Sequence, residues 1–328
     1  MFEILSHPFM QRALIAAALS GLLAPAVGMY IVQRRLSLLG DGLGHVAIVG
    51  IGLALLTGAA PLPVAAAVCI LGALTVEWLR QSGKASSDTG LAILFYGGLA
   101  GGILLAGLAG RGTAALSQYL FGSLLTVTPT DIWLLGVLTA FGVGISLALA
   151  PQFFSVCADE GYARTQGLPV GLLNTLMIVS AALTVTVSLR TVGVLLVSAL
   201  MVVPVAAASN LLTGFRATLS GAIVLGLLVS TSGTVVSALA DTPSGATIVV
   251  LAIAVFLLSS LIGRRRRRVP LSDPELPTLH AHIPAEPHAD AALAMDTEAV
   301  AAVLHGDHVD YLHGGHRHAP HGDHFDEH

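Results

Sequence analysis

The feature that most constrains this chain is the recurrence of long apolar runs that carry almost no charge. A helix rises 1.5 Å per residue, so about 20 such residues cross the ~30 Å of a bilayer core. Runs of that order occupy 13–33, 43–58, 62–80, 90–109, 131–149, 171–189, 192–211, 217–239 and 245–262. The predicted fold class is therefore all-α, a polytopic membrane helix bundle of about nine transmembrane helices. The short second run, and a re-entrant or interfacial reading of 113–126, leave eight or ten spans open. Composition agrees: 55% of residues are hydrophobic, 10% are charged and the mean hydropathy is +0.83. A soluble domain carries about a quarter charged residues, so lipid is the expected solvent. The 36 glycines suit helices that approach closely in a membrane.

The first run follows Glu3 and Arg12 and lacks a small-residue cleavage site, so it reads as a first transmembrane helix rather than a cleaved leader. Basic residues then set the orientation. With the N-terminus outside, the inner side receives Arg34, Arg35, Arg80, Lys84, Arg164, Arg216 and the run Arg264 to Arg268. The outer side keeps Arg12, Arg111 and Arg190. The positive-inside rule favours this N-out, C-in arrangement and an odd number of spans. Cys69 and Cys157 offer no disulfide framework and read as packing residues.

At Arg264 the chain changes character. Residues 1–263 form the expected transmembrane domain, and 264–328 a basic stop followed by a disordered, His-rich cytoplasmic tail. Arginines directly after a span are expected to meet anionic lipid rather than nucleic acid. Beyond them the sequence is rich in proline, acid and histidine, and only 291–304 has helical character.

Two constellations point to metal. Asp41 and His45, at the opening of the second run, are four residues apart and share a helix face. A carboxylate and an imidazole at that spacing supply two ligands to zinc or manganese, and a symmetry mate would supply two more. The competing reading has Asp41 capping the helix, with His45 bonded to it. In the tail, His305-Gly306-Asp307-His308 recurs as His321-Gly322-Asp323-His324, with His313, His316 and His318 between. Such tracts bind soft divalent metals loosely, as a buffer or sensor. Glu77, Asp88, Asp131 and Asp241 read as capping or solvated acids, and Asn174 and Asn210 as hydrogen bonds between helices. A third constellation is the polar inner segment Cys157 to Pro169, helical in character up to Gly167 and suited to docking in a partner's groove.

The chain lacks a G-x-x-x-x-G-K-[ST] loop, a zincin motif and any nucleophile–base arrangement, so it is expected neither to bind ATP through a P-loop nor to act as an enzyme.

Three segments carry a resemblance: Arg34-Arg35-Leu36-Ser37-Leu38-Leu39-Gly40-Asp41 through His45; Gly167-Leu168-Pro169 with the loop before it; and Val192 to Leu200, leading to Pro204 and Ala206-Ala207-Ala208. Over about residues 8–262 the chain resembles the permease subunit of bacterial ABC importers for zinc, manganese or iron, most of all the zinc permease. The resemblance implies a multi-pass protein of the bacterial inner membrane and a homodimer of permease subunits. Its partners would be a cytoplasmic ATP-binding subunit and an extracytoplasmic metal-binding protein. Zn2+, or Mn2+ or Fe2+, is then cargo, with no permanent cofactor. It also implies that Asp41 and His45 contact the metal in the path. Asp159, Glu160, Ala163, Arg164 and Gly167 then belong to a helix that couples to the ATPase. Two departures stand out: Gly42 and Gly44 replace the usual alanine and serine, and Gly161 stands where an acid is frequent. The rival expectations are an ATP-independent metal carrier and a membrane-anchored sensor that acts through the tail.

Overall fold

The computed structural model describes residues 7–82, 87–110, 116, 119–120, 122 and 127–267, and five short segments beyond them. The chain separates into two compact units, Met1–Arg266 and Arg267–His328.

The described part of the first unit is all-helical. Its helices are α1 (Pro8–Gln33), α2 (Leu39–Thr57), α3 (Pro61–Gln81), α4 (Ser87–Leu108) and α5 (Pro129–Ala148). Then come two short ones, α6 (Ala150–Ala158) and α7 (Glu160–Thr165), and finally α8 (Val170–Thr191), α9 (Val194–Leu211), α10 (Phe215–Ala240) and α11 (Ser244–Arg267). Each of the nine predicted spans falls on one of the long helices. Eight are long and apolar enough to cross a membrane, and within α9 the apolar stretch Leu196–Leu211 is shorter. Most of 113–126, the predicted re-entrant segment, lies outside the described residues.

Helix α1 is the hub, packing on α5, α8, α9 and α10. Small residues let it do so. A Cβ at Gly28 would lie 1.9 Å from the carbonyl oxygen of Met201 on α9, and one at Gly21 would lie 2.2 Å from Ser230 Oγ on α10. Ser230 in turn donates to the carbonyl of Ala17 at 2.7 Å. Helix α2 lies against α3 and α4 in the same manner.

The end of α1 sets the direction of α2. Leu36 N–H bonds to Ile31 C=O at 2.9 Å and Arg35 N–H to Val32 C=O at 3.0 Å, while Arg35 takes a left-handed φ of 59°. This is a Schellman turn with arginine where glycine is usual. Four residues after Arg35 α2 begins, so Asp41 stands in its first turn.

Other expectations resolve in detail. Asp131 caps α5: Thr128 and Asp131 form a reciprocal capping box. Asn174 bonds from α8 to Glu160, and Asn210 from α9 to Ser259 on α11, both at 3.2 Å. Asp241 ends α10 in a left-handed conformation. Glu77 corrects the expectation of a capping or solvated acid, because it is buried and paired with Arg80. Cys157 lies on α6 rather than in a loop. The side chain of Asp88 lies outside the described residues.

In the second unit, Ile283–Pro284, Ala302–His305, His308–His313, His316–His321 and His324–Glu327 pair as antiparallel strands in the order first, fifth, fourth, third, second. The chain between the last four strands is two residues each time, Gly-Asp, Gly-Gly and Gly-Asp, a composition favoured between hairpin strands. Composition alone predicts disorder there. The predicted helix 291–304 lies mostly outside the described residues.

Candidate functional site

Asp41 sits at the third position of α2, inside the helix rather than before it. The preceding Leu38 occupies the cap position, and no side chain caps there. The dipole of the helix start favours a negative charge at this position, but the carboxylate makes no side-chain cap. Asp41 lines an open pocket of about 570 Å3 with Ser37 and Leu38, walled by residues of α9 such as Ser198 and of α11 such as Val249.

His45, one turn on, is 6% exposed. Its Nδ1 lies 2.7 Å from the backbone carbonyl oxygen of Asp41. A carbonyl oxygen only accepts, so Nδ1 carries the proton and donates it. In the neutral ring this leaves the lone pair on Nε2, the form in which an imidazole binds a metal. The ring packs on Phe95 of α4, with centroids 4.3 Å apart. A Cβ at Gly98 would lie 2.7 Å from the His45 backbone, so glycine there is what admits α4 to this position. The two predicted ligands thus share one turn of one helix, and the histidine is oriented by the backbone of the aspartate rather than by its carboxylate. Among the described residues no group of three or more metal-ligating side chains comes together. The two predicted ligands are fewer than the four that zinc takes in a closed site.

Below this turn lies an ion cluster that sequence reasoning missed. One oxygen, Glu160 Oε1 at the start of α7, accepts from Arg34 Nη2 at 2.6 Å, from Arg80 Nη2 at 3.2 Å and from Asn174 Nδ2 at 3.2 Å. Arg80 also grips Glu77 through Nε at 2.9 Å and Nη2 at 2.7 Å, and Gln81 donates to the same acid at 2.8 Å. The Arg34 side chain is 5% exposed. Burial pulls its guanidinium below its ordinary pKa, and Arg80 pulls the same way, while Glu77 and Glu160 oppose them. The Glu77/Arg80 spacing of three was legible as a helical pair. Their meeting with Arg34 and Glu160 was not, because these residues are distant in sequence.

The predicted coupling residues divide by position. Asp159 caps α7, accepting from Tyr162 N–H at 3.0 Å. Glu160 turns inward to the arginines, and Ala163 is fully buried among Tyr30, Phe153 and Val170. Tyr162 and Arg164 are exposed, and Gly167 ends the segment with a φ of 77°. The side chains of His305, His308, His313, His316, His318, His321 and His324 lie outside the described residues.

A bundle of this kind, with an ionisable pair one helical turn into a span, belongs to the class of polytopic membrane transport proteins. The comparisons specify which. The chain matches the ABC 3 transport family over residues 6–263, and it belongs to that family. It is 32% identical over 259 residues to the manganese transport system membrane protein MntC of Halalkalibacterium halodurans, covering 78% of this chain and 88% of that protein. It is 33% identical over 240 residues to the chelated iron transport system membrane protein YfeD of Yersinia pestis, covering 70% and 79%. Among solved structures, PsaBC from Streptococcus pneumoniae in complex with Fab is similar with a TM-score of 0.73 and 28% identity, covering 81% of this chain and 96% of that one. The chain is thus a multi-pass membrane permease, a transport component.

Proposed function

We propose that this permease carries a divalent transition metal, zinc, into the cytoplasm, driven by ATP hydrolysis on a separate subunit. The observation that carries the reading is the Asp41/His45 turn: an imidazole whose Nε2 keeps its lone pair in the neutral ring, beside a carboxylate that lines an open pocket. The relatives named for manganese and chelated iron support a metal cargo. An Asp/His set takes manganese as readily as zinc, and zinc rests on the His-rich tail, whose ligands suit it.

Two copies of the chain would complete the shell, each giving one carboxylate and one imidazole. The N-terminus lies outside and the C-terminus in the cytoplasm of a bacterial inner membrane, following the basic residues. There the segment Asp159 to Gly167 meets the ATP-binding subunit, with Tyr162 and Arg164 on its exposed side. An extracytoplasmic protein delivers the metal. The tail histidines bind the same metal loosely, as a cytoplasmic buffer.

The test is metal uptake in cells that carry the chain as their sole importer. Asp41→Ala and His45→Ala should each remove uptake while the protein still inserts and assembles. Normal uptake in either variant refutes the site. Cellular zinc, manganese and iron in a strain lacking the chain then name the cargo: a fall in zinc alone upholds zinc, and a fall in manganese or iron alone replaces it. Uptake that persists on a proton gradient with the ATPase inactivated would establish the secondary-carrier reading instead.

A further inference from the structure

Glu160 stands at a junction that no simple surface role requires. Its Oε1 takes three hydrogen bonds from three helices: Arg34 at the end of α1, Arg80 on α3 and Asn174 on α8. Arg34 in turn begins the turn that leads to Asp41, seven residues on. Between the two lies the Schellman turn, whose backbone bonds hold its shape. One carboxylate thus ties α7 to the turn that opens α2.

We propose that Glu160 is the positioning residue through which α7 moves the α1–α2 turn, linking the nucleotide state of the ATPase to the Asp41/His45 site. This rests on the reading of α7 as the docking helix. One fact points to a junction that can shift without coming apart. Among the described residues, Arg34 Nη1 is buried without a hydrogen bond. Arg34 thus keeps a second donor for the Glu160 carboxylate, so the pair can persist in a shifted arrangement. Arg80, by contrast, is held by Glu77 through two nitrogens and stays put as the anchor. A buried guanidinium that lost Glu160 outright would be costly to leave unpaired, so α7 and Arg34 move together.

The experiment uses the complete transporter in liposomes, with zinc alone or manganese alone as the probe. Uptake per ATP hydrolysed is read for wild type and for Glu160→Gln, which keeps the shape and removes the charge. The expected result is a fall of about tenfold in that ratio, the size of an ordinary coupling between sites, with the ATPase subunit still bound. A second readout is the rate at which Ser37→Cys, on the pocket beside Asp41, reacts with a thiol reagent. It should change with a non-hydrolysable nucleotide in the wild-type background and not with Glu160→Gln. A brace that merely holds the fold together would leave both readouts at wild-type values once the protein has assembled, and that result overturns the proposal. Should Glu160→Gln fail to assemble, Arg34→Lys and Asn174→Ala each loosen the same carboxylate from one side; wild-type coupling in both overturns it equally. The docking reading is judged separately. If Tyr162→Ala with Arg164→Ala leaves the ATPase subunit bound and fully stimulated, that reading fails, and this relay with it. If they release the subunit while Glu160→Gln couples normally, only the relay fails.

Discussion

His45 gives one ring nitrogen to its own helix, bonding Nδ1 to the carbonyl of Asp41. The sequence offered two readings of Asp41, cap or ligand. Because α2 begins at Leu39, Asp41 lies within its first turn rather than at the cap position, which Leu38 occupies. Burial was harder to foresee. Glu77 has a local partner in Arg80, and no local pattern announces that Arg80 also meets Glu160 at the start of α7. Cys157 shows the same effect in its chemistry. Burial pushes its thiol up to about 11, with Glu160 adding to the rise and Arg34 opposing it. The sign is clear: a raised thiol pKa stabilises the fold fully below 9, the ordinary value, and that contribution is lost as pH climbs through about 11. At pH 8 the native protein should therefore alkylate slowly at Cys157, and the rate should climb towards pH 11. Unfolding in detergent should make alkylation at pH 9 fast, as mass spectrometry of iodoacetamide adducts would record.

At the scale of elements, the long helices were legible because hydropathy over a span is a sum that survives local exceptions. Helix ends were legible where side chains made them, as at Thr128 and Asp131, and obscure where the backbone did. Nothing in Arg34-Arg35-Leu36 announces a Schellman turn, since the left-handed position holds arginine. That choice carries strain of about 1 kcal/mol. Arg35 is exposed, so Arg35→Gly should relieve the strain without losing a contact and raise the midpoint of thermal unfolding in detergent by a few degrees. Close helix contacts argue the other way. Gly28→Ala would press a methyl into the Met201 carbonyl, and separating α1 from α9 to make room should cost about 2 kcal/mol or more. The same melting assay should show a clear fall, with reduced yield of inserted protein.

For the molecule as a whole, the match over residues 6–263 ends where the basic run begins, and the tail lies outside it. Removing residues 269–328 should therefore leave most of the uptake flux, while reducing the metal that the purified protein binds in equilibrium dialysis. Loss of all flux on that deletion would make the tail part of the transport machinery. The architecture was legible from the sequence because lipid imposes it. The ion cluster was not, because long-range pairing is decided by which helices become neighbours, and hydropathy does not specify that.

The burial of α1 has a consequence for how the chain is made. With α2 it is the most enclosed of the described spans, 72% of its most apolar stretch lying inside the bundle. Its neighbours α9 and α10 are translated much later: roughly 200 residues follow α1 before α10 is complete, some tens of seconds at ordinary synthesis rates. Throughout that interval the glycine-lined face of α1 has only lipid to lie against. A ribosome that stalls before α10 leaves an inserted but half-packed protein, a natural target for membrane quality control. Completion of the C-terminal half is thus what makes the N-terminal helix safe.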